Sequence, residues 1–152
     1  TRGIPQLYYG TELLMDGDAA SHPDIRKDFP GGWKEDKINA FTAAGRTADQ
    51  NEAFDFMKTV LNWRKGEELI HSGKLTHFVP ENDVYVYFRH DSNRAVMVMI
   101  NGSNDQKDVA TNRFSEITGK FTGAADILSN QNYSSIESIT VPANGILILD
   151  LK

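Results

Sequence analysis

Cysteine is absent from all 152 residues. That excludes disulfide frameworks, thiolate metal sites and cysteine nucleophiles, and it leaves the redox compartment open. Long hydrophobic runs are absent too. The longest falls far short of the roughly 18 apolar residues of a membrane span, and no charged-then-apolar leader opens the sequence. There is no basic surplus either. Sixteen Lys and Arg stand against 21 Asp and Glu, a formal net charge of −5, which argues against general binding to nucleic acid backbone. What is present is ordinary for a packed protein: 39% hydrophobic and 24% charged residues, enough for one or two small domains with a real core. The first residue is Thr1 rather than Met, as expected of a mature product, a processed chain or a piece of something longer.

Two regions read differently. Residues 1–73 begin with a short apolar run, Ile4-Pro5-Gln6-Leu7-Tyr8-Tyr9, ended by Gly10. It reads as a buried strand. Residues 13–46 then carry little periodicity and several Gly and Pro, so they predict a long loop with a functional role or a short helical turn, placed at 36–41. Thr47 and Gln50 fit a capping box. Phe54, Met57, Val60 and Leu61 follow at helical spacing, predicting a helix over 48–66. A second turn over 67–71 is expected to stop at Gly73.

After Gly73 the period changes to two. Segments 75–79, 84–89, 95–100, 108–110, 124–128, 136–141 and 146–151 read as short strands separated by Asn, Asp and Gly turns. Even spacing of short strands predicts an antiparallel sandwich or small barrel. The segments 84–88 and 95–100 are apolar on both faces, so both faces need cover. A lone strand cannot satisfy its own backbone. The first region therefore reads as the end of an α/β domain, ahead of a complete antiparallel one.

Particular motifs carry a family resemblance. Arg2-Gly3-Ile4-Pro5-Gln6-Leu7-Tyr8-Tyr9-Gly10-Thr11-Glu12 resembles the last barrel strand of the α-amylase family of glycoside hydrolases. His22-Pro23-Asp24-Ile25-Arg26 resembles its Asp-Pro-x-x-Arg loop, with His22 where the acid usually stands. Arg26-Lys27-Asp28-Phe29-Pro30-Gly31-Gly32-Trp33 is similar to the neopullulanase and cyclomaltodextrinase group, especially gut-bacterial members. Leu61-Asn62-Trp63-Arg64-Lys65-Gly66 resembles the last barrel helix, and Pro142-Ala143-Asn144-Gly145 the end of the C-terminal β domain.

The resemblance implies that residues 1–73 are the last βα unit of a TIM barrel and 74–152 an all-β antiparallel sandwich. It implies a parent enzyme that is a retaining glycosidase hydrolysing α-1,4 bonds in cyclodextrin, pullulan or starch oligosaccharides. The family's catalytic carboxylates lie in motifs at earlier strands, and none of those motifs is found here, so no catalytic residue is carried over and the isolated piece is expected to be inactive. The implied substrate-binding residues are Arg26, Asp24, His22 and Trp33. A guanidinium presents fixed donors to vicinal hydroxyls, and an indole face stacks on the C–H face of a sugar. Tyr9 and Glu12 would support the barrel rim, where functional groups cluster.

No metal is expected. Asp16-Gly17-Asp18 with Asp24 lacks the ligand spacing of a calcium loop, although calcium remains open for a parent enzyme, and the four histidines show no paired zinc spacing. No cofactor is required. The implied partners are an α-glucan oligosaccharide, the remainder of the barrel and, left open, a second copy. The location is not encoded, although the resemblance to gut-bacterial proteins points to the periplasm or envelope. The rival expectation is a non-catalytic carbohydrate-binding or interaction module built on the sandwich, for which the strand at 4–9 would be superfluous.

Overall fold

The computed structural model describes residues 5–152. Thr1 to Ile4, which open the expected first strand and the first family-like motif, lie outside the described residues. The chain forms two compact units, one ending at Leu61 and the other running from Asn62 to Lys152.

The second unit is an antiparallel sandwich. Its large sheet has the order β1-β2-β3-β8-β5-β6, from β1 (Lys74–His77), β2 (Val84–His90), β3 (Ala95–Asn101), β8 (Ile146–Leu151), β5 (Ala124–Asp126) and β6 (Asn132–Tyr133). A two-stranded sheet, β4 (Lys107–Ala110) with β7 (Ser138–Val141), packs over it. Alternation sets the faces. Val84, Val86 and Phe88 of β2 point into the core with Met97 and Met99 of β3, Leu149 of β8 and Ile139 of β7.

The β1–β2 hairpin turns at Asn82 and Asp83, both with positive φ (51° and 66°). Glu81 and Val84 bond reciprocally across that two-residue loop at 3.1 and 2.9 Å. A tight hairpin of this twist demands positive φ at both central residues.

Three sequence expectations are corrected here. The strand expected over 124–128 stops at Asp126 because its carboxylate accepts from the backbone N–H of Leu128 and Ser129 and from the Ser129 hydroxyl, turning the chain. That turn allows β6, a two-residue strand too short for a periodicity signal, to pair with β5. The strand expected from 136 begins at Ser138, since the Ile136 carbonyl is taken by the Thr111 hydroxyl at 2.6 Å. Between β4 and β5 runs a helical stretch the sequence reading missed, a 3-10 turn Thr111–Phe114 leading into α3 (Ser115–Thr118). It delivers Phe114 to the core, 4.7 Å from Phe78 and 5.8 Å from Phe88 between ring centres.

The other face of the large sheet is covered in part by α2 (Glu68–Ser72). Leu69 is buried, the Arg89 guanidinium donates to the Ile70 carbonyl at 2.6 Å, and Val96 and Val98 of β3 are buried as well. The need for cover on both faces of β2 is met in part by that helix.

The first unit is mostly connection. It holds 3-10 turns at Thr11–Leu13, Asp24–Arg26 and Ala43–Gly45, and α1 (Ala48–Gly66), whose last turn belongs to the second unit. The capping box forms as expected, with Gln50 N–H donating to the Thr47 hydroxyl at 3.2 Å and Thr47 N–H to the Gln50 side chain at 3.0 Å. Two expectations fail. Residues 5–8 are irregular rather than a strand, since no neighbouring strand among the described residues pairs with their N–H and C=O groups. Residues 36–41 form turns rather than a helix, because the Asn39 side chain accepts the Phe41 N–H and pulls the backbone out of helical register. Among the described residues before Asn62, only Leu13 and Ala40 are buried hydrophobics. No residue of α1 is fully buried.

Candidate functional site

The first unit gathers several of the expected site residues around one hollow. Gly10 sits at φ 84°, a conformation that favours glycine, and a Cβ there would meet the Met15 sulfur at 2.5 Å. The left-handed turn lets Gly10 O accept from Leu13 and Met15 at 3.0 Å each. The chain folds back, and the Tyr9 hydroxyl donates to the Lys27 carbonyl at 2.9 Å. Tyr8, Tyr9, Met15, Asp24, Ile25 and Lys27 line a cavity of about 140 Å³ with Asp16 and Gly17.

Asp24 is the anchor of that hollow. Its carboxylate accepts from the Asp18 N–H at 2.5 Å and pairs with the Lys27 ammonium at 2.9 Å. Lys27 also donates to the Asp16 carbonyl at 3.2 Å. The Asp18 N–H, then Lys27, hold the Asp24 carboxyl below the usual carboxylate range, and Asp24 raises Lys27 above its own. Both groups lie in water, so the pairing orders the loop more than it stabilises the fold. Lys27 is a residue the sequence reading missed. Its signal was available in the i, i+3 spacing of an acid and a base across a turn.

Arg26 ends the 3-10 turn Asp24–Arg26 with its side chain exposed. Among the described residues its guanidinium makes no hydrogen bond or ion pair, and Asp24 is bound to Lys27 instead. His22 is exposed in the turn before it. Glu12 is half-buried in the 3-10 turn after Gly10. Trp33 belongs to a separate loop and is 63% exposed. The structure thus brings Tyr9 and Asp24 to one hollow, with Arg26 and His22 beside them in the chain, and keeps Trp33 on its own loop.

The acids suspected of calcium binding serve the loop. Asp18 accepts the Ala20 N–H and Asp24 the Asp18 N–H. Among the described residues no three His, Asp or Glu gather as a metal site, and no helix is long and apolar enough to cross a membrane. In the second unit the two-stranded sheet is too narrow to cover the six-stranded one. It leaves two grooves, one beside β4 with Asn82, Asp108 and Arg113 and one beside β7 with Gln131, Tyr133 and Thr140.

The comparisons agree with this architecture. A family model described as the cyclo-malto-dextrinase C-terminal domain matches residues 75–150. A cyclomaltodextrinase of Thermoanaerobacter pseudethanolicus is 28% identical over 118 residues, which are 78% of this chain and 17% of that protein. An alpha-amylase of Niallia circulans is 29% identical over 146 residues, 95% of this chain and 24% of that protein. The crystal structure of an alpha-amylase from Geobacillus thermoleovorans, complexed with acarbose, superposes with a TM-score of 0.70 at 17% identity, covering 99% of this chain and 30% of that one. The chain spans less than a quarter of the length of the two curated relatives.

Proposed function

The chain belongs to the cyclo-malto-dextrinase C-terminal domain family, and from that premise we propose that it is the C-terminal part of a retaining glycosidase. The whole enzyme hydrolyses α-1,4-glucosidic bonds in α-glucans such as cyclodextrins, pullulan and starch oligosaccharides. One observation carries the reading: the likeness to alpha-amylases extends over nearly the entire chain, the first unit included. Residues 1–73 are then the last βα unit of the catalytic barrel and 74–152 its C-terminal domain. The sparse core of the first unit supports this, since a segment whose described residues bury Leu13 and Ala40 as their only hydrophobic side chains is suited to completion by other chain.

Retention requires a nucleophilic carboxylate and an acid/base carboxylate about 5 Å apart. On this reading other barrel strands supply both, and this chain contributes binding. Arg26, unpaired among the described residues, offers its donors to glucosyl hydroxyls. Asp24 and Lys27 hold the turn that aims it, Tyr9 ties that turn to the end of residues 5–9, and Glu12 and His22 sit at its edges. Trp33 supplies an aromatic face.

The test is reducing-sugar release from β-cyclodextrin and maltoheptaose. The complete enzyme that contains this chain is expected to release sugar, and the chain alone none. Release by the chain alone overturns the reading that the carboxylates lie elsewhere. A complete protein without activity on either glucan overturns the hydrolase reading.

A further inference from the structure

The small sheet of the second unit has two edges, and they differ in kind. β4 and β7 pair only with each other, so each keeps one edge without a partner strand among the described residues. The register shows which groups lie on the free edge of β7. Lys107, Asp108, Val109 and Ala110 stand opposite Val141, Thr140, Ile139 and Ser138, and just beyond them the Thr111 N–H donates to the Glu137 carbonyl at 3.0 Å. Bonded and non-bonded pairs alternate along an antiparallel ladder. Val109 with Ile139 and Lys107 with Val141 are therefore the bonded pairs. Ser138 and Thr140 turn their N–H and C=O groups the other way, to the side of the groove they help to line.

Charge commonly blunts a free edge against added strands. The groove beside β4 has that protection, with Lys107, Asp108 and the Arg113–Glu81 pair at 3.1 Å. β7 does not. It reads Ser138-Ile139-Thr140-Val141, with neither charge nor proline. The groove beside β7 has a volume of about 630 Å³. Its floor includes Leu147 of β8 and Tyr133 of β6, both packed with the core. Asp126 is the one acid lining it, and its oxygens already accept from the N–H groups of Leu128, Ser129 and Ile148 and from the Ser129 hydroxyl. A charged side chain entering this groove would find no free counter-charge among the lining residues, whereas a neutral one avoids that desolvation cost.

The floor also selects the occupant. β5 and β6 continue the large sheet beneath the groove, and packed sheets stand about 10 Å apart. A second copy presenting its own β7 would bring its own large sheet beneath that strand, because Ile139 and Val141 pack on it. Two sheets would then need the same layer. A single extended segment carries no second layer and fits.

We propose that the groove beside β7 is a strand-accepting site. An uncharged, extended segment of another polypeptide adds to β7 as a third strand of the small sheet, bonding the N–H and C=O groups of Ser138 and Thr140. Its residues opposite Ser138 and Thr140 face solvent, and the alternate ones are β-branched and apolar and rest on Leu147 and Tyr133. The site lies wholly within the second unit and does not depend on the α-glucan reading.

The experiment is amide hydrogen exchange by NMR on the 152-residue chain, titrated with the capped peptide acetyl-Gly-Thr-Val-Thr-Val-Gly-amide. Exchange at Ser138 and Thr140 is expected to slow about tenfold or more, while Asp108 and Ala110 on the free edge of β4 stay unchanged. The same peptide N-methylated at both threonines lacks the N–H groups that face β7, and it is expected to give no slowing. Ser138→Pro removes one edge N–H at the first residue of the strand, where proline is tolerated, and is expected to weaken the peptide's effect at Thr140 about tenfold. The methylated peptide is read on the unmodified chain, so the proposal remains testable if that variant fails to fold. No slowing at Ser138 and Thr140 overturns the site, as does equal slowing by the methylated peptide. Slowing that appears without peptide as the chain is concentrated assigns the edge to a second copy and overturns the occupant. Slowing by maltoheptaose in place of the peptide assigns the groove to a glucan and overturns it too, while the hydrolase reading still stands or falls on the cyclodextrin assay.

Discussion

The Arg94 guanidinium grips both carboxylate oxygens of Glu67, each at 2.9 Å, and joins the start of α2 to the β2–β3 turn of the sandwich. Glu67 also caps α2, accepting the Leu69 N–H at 3.0 Å. The Arg94 guanidinium, opposed by burial and helped by the Leu69 N–H, holds the Glu67 carboxyl below its usual range.

That fork makes part of the stability pH-dependent. A carboxyl with a lowered folded-state value contributes above the ordinary glutamate range and loses its contribution as pH falls through its folded value. Glu67→Gln retains an acceptor for Leu69 but removes the charge. It is expected to cost about 1 kcal/mol near pH 7, a difference that shrinks only as pH falls below the ordinary glutamate range and through the lowered folded-state value. Urea melts of both proteins across that range measure it. Asp150, which Arg94 approaches at 3.8 Å, is raised by burial and acts with the opposite sign, easing as pH falls.

Asn101 is a buried hub. Its amide donates to the carbonyls of Asp105, Val141 and Pro142, and its oxygen accepts the Ser103 N–H and hydroxyl. Asn101→Ala strands these groups and is expected to cost about 3 kcal/mol, read as a fall in the denaturant midpoint at constant slope.

Asp83 occupies the second central position of a two-residue hairpin at φ 66°, and its side chain makes no hydrogen bond among the described residues. Glycine fits that conformation without a Cβ penalty. Asp83→Gly is therefore expected to raise stability by roughly 0.5 kcal/mol, seen as a higher melting temperature.

Arg26→Ala tests the hollow in the complete enzyme. A guanidinium that binds ground state and transition state alike should raise KM and leave kcat nearly unchanged, with kcat/KM falling about tenfold. A fall in kcat alone would place Arg26 in the chemistry.

The elements that read well from sequence are those whose signal is local. The helix over 48–66 carries its own capping box in Thr47 and Gln50, and both bonds form. Strands β2, β3 and β8 alternate or run apolar over six or more residues, and they lie where that pattern puts them. Among the site residues, Arg26 and Trp33 were visible through resemblance. Lys27 was not, because its importance lies in the Asp24 carboxylate and Asp16 carbonyl it meets.

The sequence by itself determined the helix, the antiparallel character of residues 74–152 and the exclusion of thiol chemistry. Periodicity, turn residues and composition act within a few residues, so they survive without knowledge of the fold. Only the tertiary structure decided that β8 inserts between β3 and β5, that Phe114 fills the core from a helical turn, that Asp24 pairs with Lys27 rather than Arg26, and that one Asp36 carboxylate oxygen takes the N–H groups of Gly31 and Trp33. Each depends on groups meeting in space. Strand order depends on which edges remain unpaired when the chain returns, and a carboxylate's partner depends on which donor the backbone brings within three ångströms.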